Sequence, residues 1–240
     1  LLGGYIPSEP CPNVYTMEMI YGDSQIELPK EFSSLPENEY YVHNQYDKGN
    51  CVAHSISEMY EIILKSNDKF KEISYPFIYG NRRMTDNEKA GLVPSEAFLS
   101  MYRDGTVDLE TFPWDLEVPR IINKFNANYK DLKNKALEMV ATDIIRLYTL
   151  EEVKRAIYEF GSVSFGSMLF AQFNDIARGK TLYMEKPPRG KYTNIDSSKA
   201  KGKHNMLLVG WDDDNEGGHF LCLNSWGSEF GKHGLFYVPY

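Results

Sequence analysis

Between Gln45 and Leu64 the spacing of apolar side chains changes from irregular to helical. Residues 45–50 contain Gly49 and show no period. From Cys51 onward, apolar residues recur at steps of three and four, the period of one buried helix face: Ala53, Ile56, Met59, Tyr60, Ile63 and Leu64. The pattern predicts a helix from Cys51 to about Lys65, with Cys51 at its N-terminus.

Two shorter segments combine a helical period with residues that begin and end helices. The first runs from Pro94 to Tyr102 and stops at Gly105. The second follows Thr149, which stands three residues before Glu152 as in a capping box, and ends at Gly161. We therefore expect two further helices.

The later part of the chain has a different character. Residues 163–170 read as a strand, and residues 204–211 as an apolar run of the β type. Residues 219–227 read as a strand that delivers an asparagine followed by a tryptophan. The character changes around residues 112–115, where we expect a helical half to give way to a β-rich half. Residues 74–80 are interpreted as a short extended piece around Pro76, and the polar residues 123–135 as a surface excursion.

Length and charge exclude several classes of protein. A chain of 240 residues can bury a substantial core and fits one domain or two closely packed subdomains. The net charge of −8 gives no electrostatic footprint for nucleic acid or an anionic membrane. No apolar stretch approaches the length of a membrane span. Residues 1–27 carry no basic segment followed by an apolar core, so no secretion signal is expected within them.

Cys51 combines a reactive side chain with a position that favours its ionised form. The free amide groups and the dipole of a helix start favour thiolate over thiol. Six residues upstream, the amide of Gln45 can donate to an oxyanion beside the Cys51 backbone N–H. A small buried hydrophobe is the competing interpretation of a single cysteine. Taken alone, Cys51 leaves both interpretations open.

Two later segments favour the chemical interpretation. His204 opens an apolar run of the β type, and Asn224 follows a second such run just before Trp226. A cysteine, then a histidine, then an asparagine, far apart in sequence, is the order of a cysteine nucleophile with its base and orienting group.

These motifs together resemble the papain family (C1 family) of cysteine peptidases. Gln45 and Cys51 match the family's oxyanion glutamine and nucleophile, with the same spacing of six residues. His204, before an aliphatic strand, looks like its catalytic histidine, and residues 224–227 match its Asn-Ser-Trp-Gly motif letter for letter. Weaker matches lie in order between them, so the similarity covers roughly residues 28 to 240.

The resemblance implies an α+β fold of the papain type. A mainly helical left subdomain, residues 45–114, would face an antiparallel, β-barrel-like right subdomain, residues 115–240, with the active-site cleft between them. Together they form the peptidase domain, residues 28–240. Residues 1–27, rich in Gly and Pro without a period, would be an N-terminal extension or a propeptide remnant. Inert packing and inhibition of the cleft both remain open for this arm.

The resemblance also implies a mechanism and a set of site residues. Cys51 would be the nucleophile, His204 the base, Asn224 its orienting group and Gln45 an oxyanion donor, in a thiol protease that forms an acyl-enzyme. Trp226 would shield the bond between histidine and asparagine. Gly91 would meet the substrate backbone, although the family's full glycine pair is absent there.

The chain departs from the family pattern at several positions. Val52 stands where a tryptophan usually follows the nucleophile, and Asn205 stands where a small residue usually follows the histidine. There are three cysteines, so at most one disulfide, between Cys11 and Cys222, remains once Cys51 stays free. We expect no disulfide.

No metal or cofactor is expected. The acidic residues 212–216 invite a calcium interpretation but lack the later glycine and glutamate of a calcium loop, and Gly217-Gly218 favours a hairpin turn. The histidines show no metal-ligand spacing. The expected partners are a peptide or protein substrate and, in the cleft, the chain's own propeptide or arm. No nucleic acid is expected as a partner. We expect the protein to be a monomer. The resemblance favours a secreted or cell-surface protein, whereas the few cysteines do not support a disulfide-rich extracellular enzyme.

Three functions fit this sequence. An endopeptidase is the leading hypothesis. An exopeptidase or a peptide ligase would use the same chemistry. A catalytically silent peptide-binding homologue is disfavoured because Gln45, Cys51, His204 and Asn224 are all present.

Overall fold

A computed structural model describes residues 14–22, 24, 26–36, 39–82, 91–115, 117–186, 199–215 and 217–240. Within these residues the helices are α1 (Met17–Tyr21), α2 (Cys51–Ser66), α3 (Tyr75–Gly80), α4 (Pro94–Asp104), α5 (Val118–Ala136), α6 (Leu150–Phe160) and α7 (Phe173–Ala177). The strands are β1 (Glu31–Ser33), β2 (Val163–Leu169), β3 (Gly202–Asp212), β4 (His219–Leu223) and β5 (Leu235–Pro239).

Helix α2 begins at Cys51, as the apolar period predicts. Its first eight residues are all buried, so the N-terminal half is surrounded by the core and only the C-terminal half is amphipathic. Ile63, expected on the buried face, is 39% exposed because the helix has left the core by that turn. Ala53 and Ile56 pack in one apolar cluster with residues of α3, α4 and α5.

Two segments that the sequence assigned to irregular structure are helices. Residues 74–80 form α3: the Ser74 hydroxyl accepts from the Phe77 N–H at 3.1 Å, and Pro76 in the first turn has no N–H to satisfy. Residues 123–135 lie inside α5, which buries Ile121 and Phe125 against the rest of the fold. The interpretations as an extended piece and a surface excursion are therefore wrong.

The strands form one antiparallel sheet built around β3. Its neighbours are β2 along residues 202–208 and β1 along residues 210–212 on one side, with β4 on the other and β5 beyond it. The register against β4 shifts between Leu208 and Gly210. A Cβ at Gly210 would lie 2.3 Å from the Phe32 carbonyl oxygen, so only glycine lets β1 approach β3 there.

Helix α6 packs against this sheet and begins and ends as predicted. Thr149 and Glu152 form the reciprocal bonds of a capping box, and Gly161 ends the helix at φ 87°. Trp211 and Phe220 of the sheet lie in one apolar cluster with the buried residues of α6 and α7.

The described part of the N-terminal arm lies on the protein surface beside α6. Tyr15 exchanges backbone hydrogen bonds with Ile144 and Arg146, and the Arg155 guanidinium lies 3.9 Å from the centroid of the Tyr21 ring. Within it, residues 17–21 form α1, and the Thr16 side chain caps the start of this helix.

The architecture is α+β, as the sequence predicts, with α2 to α5 in one apolar cluster and a curled antiparallel sheet packed with α6 and α7. Among the described helices, none is long and apolar enough to cross a membrane. Cys222 is a buried free thiol, whereas Cys11 lies outside the described residues.

Candidate active site

His204 and Asn224 are held together where the start of β3 meets the end of β4. His204 lies near the start of β3, and Asn224 directly follows β4, the neighbouring strand. The His204 Nε2 lies 2.7 Å from the Asn224 Oδ1. Because an amide oxygen only accepts, Nε2 carries the proton and Nδ1 holds the free lone pair. Nδ1 is buried without a hydrogen-bond partner, so it is available as a base.

Trp226 packs on the imidazole. The two ring centroids lie 5.1 Å apart, and the other side of the indole contacts Phe173 and Phe230 in an edge-on arrangement. This aromatic group borders the His204 and Asn224 pair, and the shielding role of Trp226 stays a prediction.

Gln45 is fixed by the segment that carries Asn224. Its backbone N–H donates to the Ser225 carbonyl at 2.9 Å, and its side-chain Oε1 accepts from the Ser225 hydroxyl at 2.8 Å. The side-chain Nε2 donates one hydrogen to the Lys48 carbonyl at 2.6 Å. Since an amide nitrogen carries two hydrogens, the second remains to be donated. Ser225 and the Lys48 carbonyl thereby hold this donor in a fixed orientation.

Cys51 is the first residue of α2, in the position that the sequence predicts. The first hydrogen bond within the helix is donated by His54, to the Asn50 carbonyl. The backbone N–H of Cys51 lies in the first turn, where N–H groups point out of the end of the helix. It is suited to stabilise a negative charge that develops beside the sulfur.

A hydrogen bond relates the helix of Cys51 to the strand of His204. Ser55 lies one turn after Cys51 on the same face of α2, and its hydroxyl accepts from the side-chain nitrogen of Asn205, the residue after His204. The face of α2 that carries the cysteine therefore contacts the start of β3.

All four residues are withdrawn from solvent. Cys51, His204 and Asn224 are fully buried and Gln45 is 1% exposed. Buried side-chain atoms without a partner, among the described residues, include Asn50 Nδ2 and Oδ1, His54 Nε2, His204 Nδ1 and Asn224 Nδ2. Unsatisfied polar atoms are uncommon in protein interiors and call for an explanation. Several of these atoms belong to the candidate site residues or to Asn50, which directly precedes Cys51.

Burial also controls the charge of the histidine. It lowers the pKa of His204 to about 4, while the bond to Asn224 acts in the opposite direction. Without a neighbouring anion the imidazole is therefore neutral at pH 7, the form that accepts a proton.

Comparison with known proteins identifies the family. Residues 28–239 match the sequence pattern of the family described as papain family cysteine protease. The chain belongs to this family. The match spans helices α2 to α7, the sheet and all four candidate residues, which agrees with the limits of roughly 28 to 240 expected from the motifs.

Individual papain-family proteins are similar to this chain at sequence identities of 14 to 26%. An uncharacterized peptidase C1-like protein of Acanthamoeba polyphaga mimivirus is 26% identical over 225 residues, which cover 90% of this chain and 67% of that protein. The crystal structure of xylellain, a cysteine protease from Xylella fastidiosa, superposes with a TM-score of 0.76 at 20% identity, covering 99% of this chain and 89% of that chain. A procathepsin B from Trypanosoma congolense gives a TM-score of 0.67 at 14% identity, covering 99% of this chain and 80% of that chain.

A group of four buried titratable side chains lies behind the papain-like site. The His43 ring bonds His54 Nδ1 at 3.0 Å through Nδ1 and Glu61 Oε2 at 2.9 Å through Nε2. Glu58 accepts the His43 backbone N–H at 3.0 Å. Burial raises the pKa of Glu58 to about 7, an effect opposed by His43. We call these residues, His43, His54, Glu58 and Glu61, the buried quartet.

In the sequence, the quartet's histidines are distinguished only by the absence of metal-ligand spacing. The anchoring roles of Ser225 and Ser55 have no local signal, because each depends on a partner more than 100 residues away. Among the described residues there is no cluster suited to hold a metal ion. Gly91 is buried at φ 123°, a backbone conformation that favours glycine, and its contact with substrate stays a prediction.

Proposed function

We propose that this papain-family protein is a cysteine peptidase in which Cys51 is the nucleophile. His204 is the base, Asn224 orients it, and Gln45 with the Cys51 N–H stabilises the oxyanion. The observation that carries the proposal is the His204 and Asn224 bond at 2.7 Å, which leaves the opposite ring nitrogen buried and unpartnered. That nitrogen is the atom that would receive the thiol proton.

The reaction follows from these positions. The Cys51 proton moves to His204 Nδ1, and the thiolate forms a C–S bond to the peptide carbonyl carbon. The carbonyl oxygen becomes an oxyanion, which accepts from the remaining Gln45 amide hydrogen and the Cys51 N–H. The C–N bond then breaks as His204 returns the proton to the leaving amine. Water, deprotonated by His204, attacks the thioester and releases the acid and the thiol.

The burial of the site supports this chemistry. A donor that is already oriented in a water-free site needs no reorganisation when charge develops, and removing one typically costs about 3 kcal/mol of transition-state stabilisation. Burial alone favours neutral His204, whereas a thiolate beside the ring favours the imidazolium. Thiolate and imidazolium therefore form together, as a coupled pair.

Thiol alkylation tests the nucleophile, and Cys222 is an internal control. Cys222 is also fully buried, and burial raises the pKa of its thiol well above the usual range. The folded protein is treated at pH 6 with iodoacetamide and separately with an epoxide-type thiol inhibitor, and adducts are located by mass analysis. We expect Cys51 to react at least about 100-fold faster than Cys222, and the advantage to vanish in His204→Ala. Equal rates in the unmodified protein would contradict the proposal and favour the silent homologue.

Peptides with different ends distinguish the remaining alternatives. We expect cleavage of peptides acetylated at the N-terminus and amidated at the C-terminus, because an endopeptidase needs no free terminus. Cleavage only of free-ended peptides would indicate an exopeptidase. A product lengthened by an added amine would indicate a ligase. An arm or propeptide in the cleft and a monomeric state both stay predictions.

A further inference from the structure

Asn205 is a buried polar residue that the proposed mechanism does not use. It is 1% exposed and lies on β3 directly after His204, where papain-family sequences usually have a small residue. Its side-chain nitrogen donates to two hydroxyls, Ser55 Oγ on α2 and Ser164 Oγ on β2, the latter at 2.9 Å. Both amide hydrogens are therefore used, and one side chain joins three elements.

The chemistry of Ser55 fixes the direction of these bonds. The Ser55 hydroxyl has a single hydrogen, which it donates to the Val52 carbonyl at 3.1 Å. Its oxygen can then only accept from Asn205, so the group facing Ser55 must be the amide nitrogen. The Val52 carbonyl belongs to the residue after Cys51. A continuous chain of hydrogen bonds thus runs from the residue next to His204 to the residue next to Cys51.

The position of this chain suits it to set the distance between the two reacting groups. His204 and Asn205 are consecutive on β3, so a restraint on the Asn205 side chain also restrains the backbone that carries the imidazole. The imidazole bonds Asn224, whereas the amide bonds the first turns of α2. A rotation or slide of α2 along β3 would break the hydrogen bond from the Asn205 amide to Ser55. This hydrogen bond therefore restrains the start of α2 against β3.

We propose that Asn205 is a positioning residue for the Cys51 and His204 pair, acting through Ser55. The proposal rests on the proposed peptidase function. The bond from Asn205 to Ser55 holds the nucleophile helix at the separation that proton transfer from thiol to imidazole requires. Losing it displaces the thiol from the ring and lowers the fraction of the ion pair, without removing any reacting group.

The test compares Asn205→Ala, Ser55→Ala and their double variant with the unmodified protein. Ser100→Ala is the matched control: Ser100 is also buried in a helix and also donates to the carbonyl three residues earlier, at 2.8 Å, but on α4. Active sites are titrated with the epoxide inhibitor, so that kcat is expressed per reactive thiol. The pH dependence of Cys51 alkylation is measured for each variant, with Tm as the measure of folding.

We expect both single variants to lower kcat per reactive thiol by about 10- to 100-fold, as misplacement of reacting groups by about 1 Å does, with KM changed much less. The alkylation profile should lose rate on its acidic side in both. The kcat of the double variant should be no lower than that of the less active single variant, because the two residues act through one hydrogen bond. Ser100→Ala should keep kcat and the alkylation profile while lowering Tm.

Different failures have different meanings. If Asn205→Ala lowers Tm but keeps kcat per thiol and the alkylation profile, Asn205 is only structural and the inference is wrong. If Asn205→Ala does not fold, Ser55→Ala decides the matter by the same criteria. If the unmodified protein shows no preferential alkylation of Cys51 and no turnover, the proposed function fails, and the inference fails with it.

Discussion

The buried carboxyl group of Glu58 makes the free energy of unfolding depend on pH. The carboxyl group is 2% exposed on α2 and accepts the His43 backbone N–H at 3.0 Å. Burial raises its pKa from 4.5 to about 7, although the positive form of His43 and this hydrogen bond oppose the change. Glu58→Gln keeps an accepting oxygen in place and removes the titration.

The size of the effect follows from the two pKa values. Between pH 4.5 and about 7 the folded protein holds a proton on Glu58 that the unfolded chain has released. The stabilisation is complete below pH 4.5 and is lost as pH rises through about 7. At about 1.4 kcal/mol per pKa unit, this difference corresponds to a loss of roughly 3 kcal/mol.

Neighbouring histidines titrate in the same range with different signs. Burial acts to lower the pKa of His43, but Glu58 and Glu61 outweigh it and raise the pKa, so the stability that His43 contributes is also lost as pH rises. Burial lowers the pKa of His54 well below 6.5 and that of His204 to about 4, so their contributions increase as pH rises to 6.5. Above pH 6.5 the coupled His43 and Glu58 contributions determine the sign, and stability should fall.

Urea unfolding at pH 4.5 to 8 measures this effect directly. We expect the free energy of unfolding of Glu58→Gln, relative to the unmodified protein, to increase by about 3 kcal/mol across this range. Glu96→Gln, at an exposed carboxylate on α4, is the control for replacing a helical glutamate by glutamine. A difference for Glu58→Gln that does not change with pH would show that Glu58 is ionised throughout and refute the reasoning.

Four further predictions concern the site. Cys51→Ala should reduce peptide turnover to background while leaving the circular dichroism spectrum and Tm nearly unchanged. Turnover by this variant at the rate of the unmodified protein would exclude Cys51 as nucleophile. Asn224→Ala should lower kcat by about 100-fold, a smaller loss than at Cys51, because His204 remains but is no longer oriented; kinetics of both variants on one blocked peptide decide the order. Gln45→Ala should lower kcat by about 100- to 1,000-fold and Ser225→Ala by less, since Ser225 only anchors the amide; an equal KM with reduced kcat is the expected signature. The pH profile of kcat/KM should be bell-shaped, rising as the thiolate forms and falling as the His204 imidazolium loses its proton, and a monotonic profile would argue against the pair.

Local signals were sufficient for some elements and insufficient for others. The start of α2 at Cys51 and the limits of α6 were predictable because a strong period coincides with capping residues. Helix α3 has only six residues, too few to show a period, and its Ser74 cap and Pro76 were not recognised as a helix start. Helix α5 carries many lysines and buries a narrow stripe, so its polar composition concealed its period.

The family, the α+β fold and the candidate reacting groups could be predicted from the sequence, because motif spacing and helix starts are local properties of the chain. How those groups are held depends on the folded chain. The bond from Ser225 to Gln45 and the bond from Asn205 to Ser55 join residues 180 and 150 positions apart. Burial, which raises the pKa of Glu58 and lowers that of His204, is likewise a property of the packed molecule, since it depends on every element that excludes water from the site.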